Sequence, residues 1–248
     1  MRISFNSLPN KSFLGQVIRW PLRLIPKNAV LPILQGPLRG TLWIVGSHTH
    51  GCWAGSYELP TQQAFERFIL PGSVVYDIGA QAGFYTLLAS RLARPNGRVL
   101  AVEPVPLNLS RLRRHLSLNR VKNVEVAEGA AGNTSGTVRM NIPKSPAMAH
   151  LSNTGALEVS LFTLDELRRR LGFPYPTAIK IDTEGAEVAV LRGAEEILGQ
   201  SRPVIILSTH SPSLQRQCLE LLRGKRYTCS PIGPDRGGTS TEWLAKKP

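Results

Sequence analysis

Short apolar runs punctuate the chain, and most are followed by segments whose apolar positions recur every three or four residues. Val74-Val75-Tyr76 is β-branched and aromatic, as suits a strand buried on both faces. Phe84, Leu88 and Leu92 then recur at helical spacing until Pro95-Asn96-Gly97 stops the helix. The pattern repeats. Arg98–Glu103 reads as a strand, Pro106–Asn119 as a helix with Leu109, Leu112 and Leu116 inward, and Val124–Ala127 as a third strand. Gly136–Ile142 predicts a further strand, residues 143–158 a long loop, and Leu157–Phe162 an extended segment. Thr163 and Glu166 form a capping-box pattern before a helix with Leu164, Leu167 and Leu171 inward. Ala178–Asp182 is a strand, and a single helix carrying Val188, Leu191, Ala194 and Ile197 or Leu198 follows it. Pro203–Leu207 is a strand, and Ser211 caps a helix that buries Leu214, Cys218, Leu221 and Leu222. Tyr227–Ile232 and Glu242–Ala245 read as a closing antiparallel pair.

Strands alternating with helices predict an α/β fold: a doubly wound, mostly parallel sheet of seven strands with helices on both faces. Ligands of such sheets sit at the carboxyl ends of the strands. The turn Asp77-Ile78-Gly79-Ala80-Gln81-Ala82-Gly83 leads from strand to helix and is the natural cofactor cradle. A dinucleotide site would want G-x-G-x-x-G, and Gln81 stands where the middle glycine would be. The Tyr-x-x-x-Lys pair of short-chain dehydrogenases is missing. Asp77 before the turn suits S-adenosylmethionine, by meeting the amino-acid end of the cofactor or the turn amides. Glu103 lies about 20 residues past the last turn glycine, where a carboxylate can accept from both ribose hydroxyls. The expected cofactor contacts are Asp77, Gly79, Ala80, Gln81, Gly83, Phe84, Tyr85, Glu103, Pro104 and Asp182, with Glu128, Gly129 and Ala130 near the adenine.

At the end of the fourth main strand stands Asp182-Thr183-Glu184-Gly185. Any proton transfer at these strand ends needs a base within hydrogen-bond reach, and Asp182 is the first candidate, followed by Glu184 and His210. Each has an ordinary structural alternative: a helix cap for Asp182, helix-dipole complementarity for Glu184, a satisfied strand-end ring for His210. A divalent metal held by Asp182 and Glu184 is an alternative, but two carboxylates in this spacing do not by themselves make a metal signature, and no metal ligand set is expected.

Three stretches resemble the FkbM family of S-adenosylmethionine-dependent methyltransferases: Val75–Thr86, Val102-Glu103-Pro104, and Ile179–Glu187 continuing to Val190–Ala194. The likeness spans roughly residues 55–225. Gln81 replaces the usual asparagine, and the strand ending Leu207-Ser208-Thr209-His210 lacks a glutamate many members carry. The resemblance implies a class I Rossmann-like methyltransferase fold and, usually, O-methylation of a small molecule or a sugar or glycan.

Composition adds less. The formal charge of +13 raises the question of nucleic acid, but the arginines are dispersed in the manner of solvated helix faces. Neither an N/D-P-P-Y/F/W stretch nor a Pro-Cys pair is present, so no nucleic-acid partner is expected; a nucleic-acid methyltransferase and a non-catalytic cofactor-binding protein are the alternatives. No apolar run reaches spanning length, and Met1–Arg19 does not read as a secretory signal. Cys52, Cys218 and Cys229 suggest neither a disulfide framework nor a zinc site, in keeping with a cytoplasmic protein. The division expected is an arm with short strands over residues 1–58 and the main domain over 59–248. Prolines at 21, 26 and 32 break the arm, which either packs on the main domain or touches a membrane surface weakly through Trp20 and its arginines. Residues 41–58 read as two short strands with His48 and His50 on one side, and Glu58 either faces the site or the surface.

Overall fold

The structure, a computed structural model, describes residues 25–141, 150–151, 155–233 and 241–247. The N-terminal arm up to residue 24, with the proposed membrane contact, and most of the expected loop at 143–158 lie outside these.

One seven-stranded sheet runs in the order Thr228–Pro231, Glu242–Lys246, Val204–Ser208, Ala178–Ile181, Val74–Ile78, Arg98–Glu103, Val124–Glu128. The last five are mutually parallel, and Glu242–Lys246 lies antiparallel to both its neighbours. Every residue of Ala178–Ile181 is buried, as a central strand covered on both faces requires. Two apolar clusters fill the two faces. One gathers Leu164, Phe173, Leu191, Ile197 and Leu222, and the other gathers Trp43, Phe65, Phe84, Leu88 and Val99.

After Val74–Ile78 the chain builds outward through Arg98–Glu103 and Val124–Glu128. It then returns to the other side of Val74–Ile78 with Ala178–Ile181. That reversal opens a crevice at the carboxyl end, between Gly79 and Asp182. The seam is tight: the Asp182 amide donates to the Ile78 carbonyl at 3.0 Å. Gly79 sits at φ +80°, and a Cβ there would lie 1.9 Å from the Asp182 carbonyl oxygen. Glycine at this position is therefore demanded first by the neighbouring strand.

Several expectations are revised. Residues 41–58 hold one strand, Leu42–Ile44, paired antiparallel with Val30–Pro32, and then a short helix, His50–Ala54. His48 and His50 consequently part. His48 Nδ1 lies 3.6 Å from Cys52 Sγ, and His50 Nδ1 accepts from the Trp53 indole at 3.0 Å. The single helix expected after Asp182 is two, Glu187–Arg192 and Glu195–Gln200. The break has a local cause: a Cβ on Gly193 would meet the Gly132 carbonyl at 1.9 Å, and Asp165 caps the second helix by accepting from the Glu196 and Ile197 amides. Half of the capping box forms: Thr163 Oγ1 accepts from the Glu166 amide at 3.1 Å, while the Glu166 carboxylate takes the Ser135 hydroxyl instead. The Ser211 cap and the burial of Cys218 are as expected.

Gly136–Asn141 and Leu157–Phe162 pair antiparallel in a second, four-stranded sheet with Ala130–Ala131 and His150–Leu151. The helix before Val74 runs Leu59–Phe68.

Candidate functional site at the strand ends

The cleft at the reversal point encloses about 490 Å³ out to its open mouth and is bordered by Gly79, Gln81, Glu103, Pro104, Gly129, Ala130, Asp182 and Glu184. Most of the sequence-derived cofactor residues meet here. Glu103 is 2% exposed and organises this half. Its Oε2 accepts from the Gln81 amide at 2.8 Å. Its Oε1 accepts from the Val105 amide at 2.9 Å and from Asn108 Nδ2 at 3.0 Å. A carboxylate offers about four acceptor directions, so roughly one is left for a ligand. Burial raises the Glu103 pKa, against the pull of those three donors. Gln81 reaches its position through a left-handed backbone, φ +49°, which turns its amide toward Glu103.

Others of the expected residues lie elsewhere. Glu128 turns to the surface and pairs with Arg113; its neighbours Gly129 and Ala130 border the cleft. Asp77, Ala80, Phe84 and Tyr85 border a second cavity of about 300 Å³ under the turn, with His48, Tyr57 and Lys180. There Asp77 Oδ2 accepts from the Thr86 hydroxyl at 2.6 Å, and Oδ1 is buried with no partner among the described residues. Burial raises the Asp77 pKa. Glu58 accepts the Tyr85 hydroxyl at 2.8 Å. Gln81 and Asp182 border both cavities, so Asp182 stands at their partition.

The other half of the site gathers charged groups. Lys180, one pleat earlier on the same strand, is buried and reaches Asp182 Oδ2 at 2.9 Å. Burial alone would raise the Asp182 pKa and lower that of Lys180; the pair outweighs it, holding Asp182 below the usual carboxylate range and Lys180 above its own. His210 Nε2 lies 3.5 Å from both Asp182 Oδ1 and Glu184 Oε2. Its Nδ1 donates to Glu187 Oε1 at 2.8 Å. The Glu187 bond is the first cause, with Glu184 and Asp182 adding to it, of an imidazole pKa raised to about 9. Glu187 is wholly buried; its Oε1 also accepts the Gly185 amide at 2.8 Å, and its Oε2 has no partner among the described residues. Asp182, Glu184 and His210, the three candidates for the chemistry, thus come together. His210 also borders a groove of about 1240 Å³ out to its open mouth, with Thr209, Ser211, Gln215, Arg216, Thr241 and Glu242.

Sequence reasoning passed over Lys180, Glu187 and Asn108. A lysine inside an otherwise apolar buried strand, with a carboxylate two residues on along the same face, was the signal for Lys180.

Comparison with known proteins agrees with this architecture. The profile of the Methyltransferase FkbM domain matches residues 77–229. The 31-O-demethyl-FK506 methyltransferase FkbM of Streptomyces tacrolimicus is 26% identical over 64% of this chain and 74% of its own length. The hexuronic acid methyltransferase AglP of Haloferax volcanii is 28% identical over 56% of each. Methyltransferase sdnD of Sordaria araneosa is 24% identical over 66% of this chain and 77% of its own. Among solved structures, a methyltransferase FkbM from Methylobacillus flagellatus superposes with a TM-score of 0.52 at 20% identity, over 70% of this chain and 43% of that one. An O-methyltransferase from Bacillus cereus in complex with SAH gives 0.50 at 18% identity, over 97% and 93%. At these identities the structural likeness speaks for the fold.

Proposed function

Because the chain belongs to the FkbM family of S-adenosylmethionine-dependent methyltransferases, we propose that it methylates a hydroxyl on a small molecule or a sugar or glycan. The observation that carries this reading is the position of Asp182 and Glu184. They border the cofactor cleft and, through His210, also adjoin the neighbouring groove. A donor in the cleft and an acceptor in the groove would meet at these carboxylates. The groove sets hydroxyl, amide, guanidinium and carboxylate groups in a mostly apolar surface, which suits a sugar or a small molecule with both polar and apolar faces. That the relatives named above include methyltransferases for a hexuronic acid and for 31-O-demethyl-FK506 supports the same class.

S-adenosylmethionine supplies a methyl group on a sulfonium: the carbon–sulfur bond breaks with its electron pair returning to sulfur, while the acceptor oxygen bonds the carbon and gives up its proton. The chain's part is to hold the cofactor, bring the acceptor in line and take that proton. Glu103 binds a ribose hydroxyl with the acceptor direction its backbone partners leave open. Gly129 and Ala130, with no side chain larger than a methyl, leave room for the adenine at their end of the cleft. Asp182 is the proton acceptor. Although Lys180 keeps it a weak base, a hydroxyl becomes strongly acidic once its oxygen has begun to bond the methyl carbon, so a weak, fixed carboxylate suffices. His210, oriented by its bond to Glu187, stands against both Asp182 and Glu184 and holds them in place.

Single-turnover transfer of a labelled methyl group, screened over glycan and small-molecule extracts, tests the acceptor class. In Asp182→Asn, turnover should fall by about 100-fold or more while S-adenosylhomocysteine affinity by calorimetry stays within a few-fold. Full turnover in this variant would remove Asp182 as the base. Label appearing only in RNA would overturn the acceptor class.

A further inference from the structure

We propose that Asp182, Glu184 and His210 form a site for one divalent cation, with Glu187 as the residue that positions the imidazole. The ligand atoms are Asp182 Oδ1, Glu184 Oε2 and His210 Nε2, all within 4.8 Å of one another. The ring nitrogen is 3.5 Å from each oxygen. That separation is too long for good N–H···O bonds, which cluster near about 2.9 Å. It is, however, the separation of two ligands about 2.1 Å from a shared ion at an angle of roughly 110°.

The surroundings point the same way. A metal-binding imidazole typically donates its other N–H to a carboxylate, which fixes the tautomer and aims the lone pair. His210 Nδ1 does this to Glu187 Oε1 at 2.8 Å. Glu187 is entirely buried; the His210 ring and the Gly185 amide share its Oε1, and its second oxygen has no partner among the described residues, so the carboxylate has been taken from water only half satisfied. The only lysine within reach of these groups in the described contacts, Lys180, is bound to Asp182 Oδ2 and leaves Oδ1 toward the ring. Three carboxylates therefore face one ammonium and one imidazole, a balance a divalent ion would correct.

One nitrogen and two carboxylate oxygens suit Mn²⁺ or Mg²⁺, and Zn²⁺ through the imidazole. Three protein ligands leave positions for water or for an acceptor oxygen. What the ion does in catalysis rests on the hydroxyl-methylation reading: it would hold the acceptor oxygen and stabilise the charge that grows there as the proton leaves. The site itself rests on geometry alone.

The test is Mn²⁺ binding to the full chain, stripped with chelator and dialysed, read by the loss of the free-ion electron paramagnetic resonance signal. One saturable equivalent per chain is expected, displaced by Zn²⁺. His210→Ala and Glu184→Gln should each weaken it at least about tenfold, and Glu187→Gln by about tenfold through the ring. Glu195→Gln, an exposed carboxylate remote from the cleft, should leave it unchanged. Thermal melts and S-adenosylhomocysteine titrations verify that each variant is folded. Absence of a saturable equivalent, or equal affinity in folded His210→Ala, overturns the site. No acceptor enters this measurement, so failure of the cation site and failure of the acceptor assignment are separate results.

Discussion

Glu103 and Asp182 both stand at the carboxyl end of a buried parallel strand, on opposite sides of the same crevice, yet they are held in different ways. Glu103 is fixed by two backbone amides and an asparagine, which leave roughly one acceptor direction open. Asp182 is held by a lysine from its own strand and a histidine from the next strand's end, and neither contact is with backbone. The histidines repeat the contrast. His115, beneath the cofactor turn, has Nδ1 donating to the Ala82 carbonyl at 2.7 Å and Nε2 accepting from the Ile44 amide at 2.9 Å, and it stacks on Trp43 at 3.9 Å. His210 instead faces three carboxylates. The cofactor half is built with neutral, backbone-anchored bonds that specify one geometry. The chemical half concentrates charge, as a site that must move a proton requires.

The seam between the halves gives the largest expected effect. Gly79→Ala would drive a methyl into the Asp182 carbonyl and strain a left-handed backbone, so the strands must part. We expect a loss of about 3–5 kcal/mol in denaturant unfolding, together with weaker cofactor binding. A variant of ordinary stability would show that the two halves are not rigidly joined.

Glu103→Ala comes next. It removes the acceptor for three donors, two of them buried, and a buried donor left without its acceptor costs about 1–3 kcal/mol. A loss of about 3 kcal/mol in stability should therefore accompany the fall in cofactor affinity. If affinity falls while the melting curve is unmoved, Glu103 serves the ligand alone and the contrast drawn above is too strong.

This double duty marks how far the sequence could be read. The seven-stranded, mostly parallel sheet and the glycine turn were legible because they rest on local periodicity and on a turn that only certain residues can make. Glu103 was legible as a strand-end carboxylate, but not the three donors that occupy it, because the Gln81 amide turns toward it only through a left-handed backbone. Glu187 and His210 lie in different helix–strand units and meet only once Val204–Ser208 is registered beside Ala178–Ile181. The break at Gly193 was hidden for the same reason: the carbonyl that forbids a side chain there comes from Gly132. Nothing along the chain announces such a contact.

The two histidines allow a pH test. Burial, with Arg111 and Arg114 adding to it, lowers the His115 pKa to about 4, whereas an unfolded histidine titrates near 6.5. The unfolded chain therefore binds the proton first. The contribution is fully present above about pH 6.5 and declines as pH falls toward 4, by on the order of 3 kcal/mol across the window. His115→Gln should flatten that part of the stability–pH curve even if it lowers stability overall. An unaltered slope between pH 6.5 and 4 would mean that His115 is not held neutral.

The smallest effect is expected at Glu128, and it decides how the third strand end serves the cofactor. Its carboxylate is exposed and paired with Arg113, an arrangement that contributes little in water. The cleft is bordered instead by Gly129 and Ala130. A Cβ on Gly129, at φ +151°, would lie 2.7 Å from the Ser160 carbonyl, so the backbone there is pinned by the second sheet rather than by the ligand. Glu128→Ala should change S-adenosylhomocysteine affinity by less than about twofold and leave the melting curve in place. A tenfold loss would mean that Glu128 swings from Arg113 into the cleft on binding. The cofactor half would then, like the half around Asp182, meet its ligand through a charged side chain.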